Sequence, residues 1–252
     1  MKKFVKNTLF LSAVGIVFLI LVWGIACFAV GNEYILPSPW NTLLAMGDLL
    51  RESYFYAAFF ATLGRALLAF CIACVLGVGL AIVSYLFSAA EKLLRGIVAV
   101  LRSLPTMAVL LLILLGVSHA FAPVLIGFLT LFPLVYTSTY SSLCGVDRGL
   151  IEMAEVYRVP TRIKVTKLYL PTAFPRLLAE GVAALSFSLK LTVSAEVLAF
   201  TYRSIGGWMQ EASISAEAET LMALTVLVCL VGVLIEVLGV WLIGRWEAKR
   251  CV

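Results

Sequence analysis

Between Arg102 and Asp147 the chain runs for 44 residues, Ser103 to Val146, without a lysine, arginine, aspartate or glutamate. A membrane span needs about 20 apolar residues, so this run is read as two spans, hinged at the breaker "GVSHAFAP" from Gly116 to Pro123. Four more runs suit spans: Asn7 to Asn32, Tyr54 to Ala90 broken only by Arg65, Gly181 to near Thr201, and Thr220 to Gly244. Composition agrees. Of 252 residues 63% are hydrophobic and 13% charged, against about a quarter charged in soluble domains. The expected fold is an all-α, polytopic membrane protein with six transmembrane helices. One transmembrane domain is expected over 1–252, with 1–53 holding the first span and an external linker and 54–244 the core spans.

Charge orients the spans. With the N-terminus inside, the inner segments hold Lys2, Lys3 and Lys6, then Lys92, Arg95 and Arg102, then six bases between Arg148 and Arg176, then Arg245, Lys249 and Arg250. That is 15 of the 19 basic residues, and the positive-inside rule therefore places both termini in the cytoplasm. The net charge of +5 is mostly this topology signal and points to no nucleic acid. "MKKFVKN" opens like a signal peptide, but the apolar run after it, Thr8 to Val30, is longer than an h-region. "GIAC", ending at Cys27, fits a lipoprotein cleavage site poorly because of Gly24. The first run is read as an uncleaved span.

Two segments between spans carry structure. Outside, Pro37 and Pro39 make "LPSP" an extended turn, after which Asn41 or Thr42 can cap a surface helix with Leu43, Leu44, Leu49 and Leu50 on its apolar side. Trp40 suits the interface. Inside, residues 144–176 are amphipathic. Ile151, Ala154 and Tyr157 repeat with Glu152 and Glu155 beside them, acids favoured early in a helix. Pro160 ends that helix or starts the next. Val165, Leu168 and Tyr169 then form a stripe that Leu170-Pro171 stops. Two readings fit this helix–turn–helix: a basic loop resting on lipid headgroups, and a docking element for a cytoplasmic partner.

"EMAEVYRVPTRIKVTKLYLP", Glu152 to Pro171, resembles the cytoplasmic EAA loop of the inner-membrane permeases of binding-protein-dependent ABC importers. Glu152, Met153 and Ala154 stand at E-A-A, Leu168 at the isoleucine, and Leu170-Pro171 at L-P, at the family's spacing of 19 positions from Glu152 to Pro171. Arg158 stands where the family has a glycine, whose freedom suits the turn between two helices, leaving Val159-Pro160 to shape it. "LPSPWNT", "TLGRALLAF", "RSLPTMAVLLLILLG", "AFPRLLAEG", "SAEVLAF" and "SIGGWM" look like the sulfonate/taurine/nitrate-type branch, over nearly the whole chain.

The resemblance implies a type I importer permease fold in the bacterial inner membrane. It implies the partners of such a machine: two cytoplasmic ATP-binding-cassette ATPases, an extracytoplasmic substrate-binding protein and a second permease, commonly a second copy. Glu152, Ala154, Glu155, Arg158, Leu170 and Pro171 would couple to the ATPase, with Pro171 ending the coupling helix. No cofactor is expected on this chain; ATP and Mg belong to the ATPase, and no G-x-x-x-x-G-K-[ST] loop occurs here. The branch handles sulfonates, nitrate-like anions and pyrimidine precursors of thiamine.

Ionisable groups within spans face a cavity or a partner. There are four: Arg65, Lys190, Glu196 and Glu236. The fifth span also carries Ser186, Ser188, Thr192 and Ser194, so with Lys190 and Glu196 it is the candidate lining of a solute path. Lys190 either attracts an anion or pairs with an acid on a neighbouring span; Arg65 and Glu236 read as structural pairs or dimer contacts. "CIAC" from Cys71 to Cys74 lies within a span and reads as packing, His119 has no assigned role, and no cluster suggests a metal or catalytic site. A membrane-embedded enzyme is the rival that scattered acids disfavour; a scaffold that only recruits a partner through the loop is the other.

Overall fold

The structure is a computed structural model and describes the backbone of residues 2–250 and the side chains of 14, 15 and 17–245. In chain order it holds α1 (Lys2–Val30), α2 (Pro39–Leu49), α3 (Ser53–Leu86), α4 (Ser88–Ser103), α5 (Thr106–Leu114), α6 (Ala122–Cys144), α7 (Arg148–Val156), α8 (Thr161–Ile163), a π-helical segment Lys164–Tyr169, α9 (Leu170–Ala199), α10 (Ile205–Ile214) and α11 (Ala218–Arg250). Among the described residues, four helical segments are long and apolar enough to cross a membrane: 53–86, 122–144, 161–199 and 218–245. The α4–α5 pair adds a fifth if its two arms, bent by 89°, form one span. The remaining expected span is α1, 29 residues long. The side chains of Lys2, Lys3, Lys6, Lys249 and Arg250 lie outside the described residues, as does Cys251.

The bend has a local cause. Pro105 pushes Leu104 into extended backbone, φ −70° and ψ 130°, so the helix that opens at Ser88 stops there. The 44-residue uncharged run therefore divides unequally, into the nine residues of α5 and the 23 of α6. Arg102, just before the bend, donates from Nη2 to the Thr137 hydroxyl of α6 at 2.5 Å, which ties the end of α4 to the bundle.

α3 and α6 form the most intimate helix pair. A stripe of small residues on α3, including Ala58, Thr62, Ala66, Ala69, Ala73 and Gly77, is buried, spaced three and four apart so that they share one face. Small residues let backbones approach where lipid supplies no hydrophobic drive between helices. A Cβ on Gly77 would lie 2.9 Å from Val135 Cγ1 and 3.2 Å from the Tyr136 backbone nitrogen. Gly77→Ala is therefore expected to cost about 1–3 kcal/mol by overpacking, read as a lower Tm in detergent; a wild-type Tm would contradict this packing.

The outward faces are left apolar. Only 28% of the most apolar stretch of α3 and 6% of that of α11 is buried inside the fold. Helices satisfy their own backbone hydrogen bonds, so lipid can cover such faces. α1 meets the rest through a short seam, where Trp23 Nε1 donates to Pro37 O at 3.2 Å and Cys27 Sγ to Leu36 O at 3.4 Å.

The linker helix departs from expectation. Ser38, not Asn41 or Thr42, caps α2, accepting from the Asn41 amide at 3.1 Å. Pro39 takes the first helical position, where its missing N–H costs nothing, and this shifts the start upstream. Of the expected apolar side Leu49 is buried, with Ala45 and Met46 packed beside it, while Leu43, Leu44 and Leu50 are exposed and Thr42 is buried.

Candidate functional site

The segment 144–176 folds as a helical hairpin at one end of the bundle. The Asp147 carboxylate caps α7, accepting from the Gly149 amide at 2.7 Å. Glu152 and Glu155 consequently fall beyond the first turn, contrary to expectation: the cap lies at Asp147, which the apolar repeat did not mark. Ile151, Val165 and Leu168 pack on a buried cluster of Leu143, Val146, Tyr169 and Ala173, and Tyr85 meets Tyr169 edge-on at 5.0 Å. The stripe from Val165 to Tyr169 thus faces the bundle. Tyr157 does not share the inward face of Ile151 and is 77% exposed.

The turn between the helices is a Schellman motif. Val159 N–H donates to Ala154 O and Arg158 N–H to Glu155 O, both at 2.9 Å. That geometry puts Arg158 in left-handed backbone at φ +48°, so Arg158 itself takes up the conformation and Val159-Pro160 does not replace it. A side chain there costs about 1–2 kcal/mol. Arg158→Gly is expected to stabilise the turn by about 1 kcal/mol, slowing hydrogen exchange at the Arg158 and Val159 amides about fivefold; unchanged exchange would contradict the strain. Lys164 Nζ lies 3.9 Å from Glu155 Oε1, linking the two arms.

Leu170-Pro171 does not stop the second helix. The chain winds on from Thr161 through Lys164–Tyr169 into α9 without a break. Proline collides with the carbonyl one turn back and has no N–H. The widened π turns just before it absorb this conflict, with Leu170 N–H reaching back five residues to Val165 O. The long helix of the expected fifth span therefore begins at Leu170, well before Gly181. The tip of the hairpin exposes Met153, Val156, Tyr157 and Ile163 between Glu152, Glu155, Arg158 and Arg162. Ala154 is half-buried behind them.

The six polar residues singled out on α9 point in several directions. Ser186 donates to Gly232 O of α11 at 3.2 Å, and Ser188 to Ala66 O of α3 at 2.8 Å. Thr192 is buried near Gly127 of α6. Ser194 is exposed and donates to Lys190 O of its own helix at 3.0 Å. Lys190 is exposed, with Nζ 4.0 Å from Glu236 Oε1. Glu196 is fully buried. Its carboxylate accepts from Arg65 Nη1 at 2.6 Å, Thr62 Oγ1 at 2.9 Å and the Gly206 amide at 3.2 Å. Arg65 and Glu236 thus each meet a partner, and Glu196 pairs with α3 rather than with Lys190.

A cavity of about 440 Å³ opens between α3, α6 and α9, lined by Cys74, Ser138, Thr139, Leu177, Glu180 and Phe187 among others. None of the six α9 residues lines it. The sequence carried a signal for its polar wall, the hydroxyl cluster "YTSTYSS" from Tyr136 to Ser142, dense for a span. His119 also has a place: its Nδ1 lies 2.5 Å from Ala199 O, and its carbonyl accepts from Thr201 Oγ1 at 2.9 Å. Cys71 and Cys74 are free thiols.

Known proteins share this architecture and sequence. Residues 73–248 match the family described as "Binding-protein-dependent transport system inner membrane component". An Escherichia coli protein named as an aliphatic sulfonates transport permease, SsuC, is 28% identical over 232 residues, 90% of this chain and 87% of that protein. Its namesake in Bacillus subtilis is 28% identical over 163 residues, 64% of this chain and 59% of that protein. The formylaminopyrimidine transport permease protein ThiX of Halalkalibacterium halodurans is 25% identical over 162 residues, 64% of each chain. Among solved folds, a bacterial ABC transporter involved in import of the acidic polysaccharide alginate superimposes with a TM-score of 0.70 at 16% identity, over 96% of this chain and 98% of that one. An inward-facing MetNI methionine ABC transporter gives 0.66 at 19% identity, over 75% and 94%. The chain belongs to the binding-protein-dependent transport system inner membrane components, the multi-pass permease subunits of ABC importers, which are transport subunits rather than enzymes.

Proposed function

We propose that this permease forms part of a solute path and couples ATP hydrolysis by a separate ABC ATPase to uptake. The observation that carries the coupling is the hairpin tip. Four large apolar side chains are exposed there, at a turn whose second arm continues as one helix into α9. An apolar patch ringed by charges marks an interaction site, for a protein or a membrane surface, and the EAA-like spacing of the hairpin favours the protein. In this reading Glu152, Glu155 and Arg158 make polar contacts to the ATPase, Ala154 permits close packing, and Leu170 and Pro171 carry the hairpin into α9. ATP and Mg stay on the ATPase. Both termini and the hairpin are cytoplasmic, a substrate-binding protein docks on the opposite face, and a second copy of the chain completes the path.

The solute belongs to the classes named for the relatives, an aliphatic sulfonate or similar anion, or an aminopyrimidine. Of the six residues, Lys190 and Ser194 are exposed on α9 and available to a path; Ser186, Ser188, Thr192 and Glu196 act within the bundle in this conformation. Purification of the tagged chain from membranes tests the reading. A nucleotide-hydrolysing subunit should accompany it, with hydrolysis stimulated when solute and binding protein are added. A chain that purifies without an ATPase would overturn the coupling, and hydrolysis indifferent to solute would reduce it to a scaffold.

A further inference from the structure

We infer that Thr62, Arg65, Glu196 and Gly206 form the joint through which motion of the coupling hairpin, carried along α9, moves α3 and α10 together, with Glu196 as the positioning residue. The inference rests on the permease reading. From Leu170 to Glu196 α9 is one continuous helix with Pro175 within it, about 39 Å long at 1.5 Å per residue. A displacement of the hairpin therefore reaches Glu196 without crossing a loop. At that end the helix is bound on two sides. Thr62 and Arg65 of α3 donate to the carboxylate, the Gly206 amide of α10 donates to it, and the Thr62 hydroxyl also accepts from the Ile205 amide at 3.0 Å.

Contact between the backbones reinforces these bonds. A Cβ on Gly206 would lie 2.5 Å from both Val193 O and Glu196 Cβ, so α10 sits directly on α9 and has no room to slide. Ser204 caps α10 and accepts from the Gly207 amide at 2.8 Å. The hairpin half of α9 has open space beside it. It borders the 440 Å³ cavity, whereas the Glu196 end is held by the three donors to the carboxylate and by the Gly206 contact. A buried ion pair is a weak source of stability but a good source of register, which is what a joint requires.

The test uses the full chain with its co-purified ATPase in proteoliposomes, measuring uptake of labelled ethanesulfonate, nitrate and an aminopyrimidine together with ATP hydrolysis. Glu196→Gln keeps the shape and removes the charge. The expected result is uptake per ATP about tenfold lower, with hydrolysis per mole of protein within about twofold of wild type. A merely structural role would lower uptake and hydrolysis together, in step with folded protein, and that result or an unchanged ratio overturns the joint. Thr62→Val, which removes one hydroxyl, should lower the same ratio to a smaller extent and serves if Glu196→Gln does not accumulate. Wild-type protein that neither retains an ATPase nor takes up solute overturns the permease reading and the joint with it; an unchanged ratio beside an active wild type overturns the joint alone.

Discussion

Val156→Asp combined with Tyr157→Asp is expected to strip the ATPase from the purified permease while leaving the helical bundle intact. Both side chains stand at the hairpin tip, 79% and 77% exposed, and neither belongs to the buried cluster that holds the hairpin to the bundle. Their removal therefore costs the isolated chain little. In a complex the position reverses. Burying a large apolar side chain contributes about 1.5–3 kcal/mol, so losing two forfeits about 3–6 kcal/mol. Each 1.4 kcal/mol is tenfold in affinity, and carboxylates buried without partners add a further penalty. The loss is expected to exceed about 100-fold. Pull-down of the ATPase with an unchanged Tm of the permease checks it; retention at wild-type stoichiometry would mean that the tip faces lipid headgroups.

Arg65→Ala should be the most damaging single change inside the bundle. It leaves the Glu196 carboxylate buried with Thr62 and the Gly206 amide as its remaining donors. Removing one member of a buried pair costs about 3–5 kcal/mol, because the charge that stays has lost its counter-ion. Replacing both charges, as in Arg65→Met with Glu196→Leu, should restore most of the folded protein, since an apolar pair of similar volume avoids that penalty. Arg51→Ala is the control: its pair with Asp48 spans 3.5 Å at an exposed site and is worth about 0–1 kcal/mol. Folded yield and Tm compare the three. Arg65→Ala as mild as Arg51→Ala would contradict the buried network.

The helices of the bundle were largely legible because uncharged runs leave few alternatives in lipid. The inward stripe of Val165, Leu168 and Tyr169 was legible for a similar reason: its spacing put those residues on one face, and that face is where they pack. Periodicity does not say which neighbour covers a face. The polar residues of α9 were therefore read as one lining, whereas Ser186, Ser188 and Glu196 reach three different helices. Pro171 misled because proline is compatible with both ends of a helix. Only the π turns at Lys164–Tyr169, which leave no pattern in the residues, decide that the helix continues. Arg158 was the informative exception, since its departure from a glycine position marked a turn that the backbone confirms at positive φ. Ser138 and Thr139 were overlooked because ionisable groups marked the candidate lining, and their run carries none.

The central claim is that the hairpin transmits ATP hydrolysis to the spans. Its most direct test is solute uptake and ATP hydrolysis measured together in proteoliposomes, with wild type set beside Glu152→Ala plus Ala154→Asp. The account predicts solute-dependent hydrolysis and uptake in wild type and loss or uncoupling of both in the variant. A variant that matches wild type in both would contradict it.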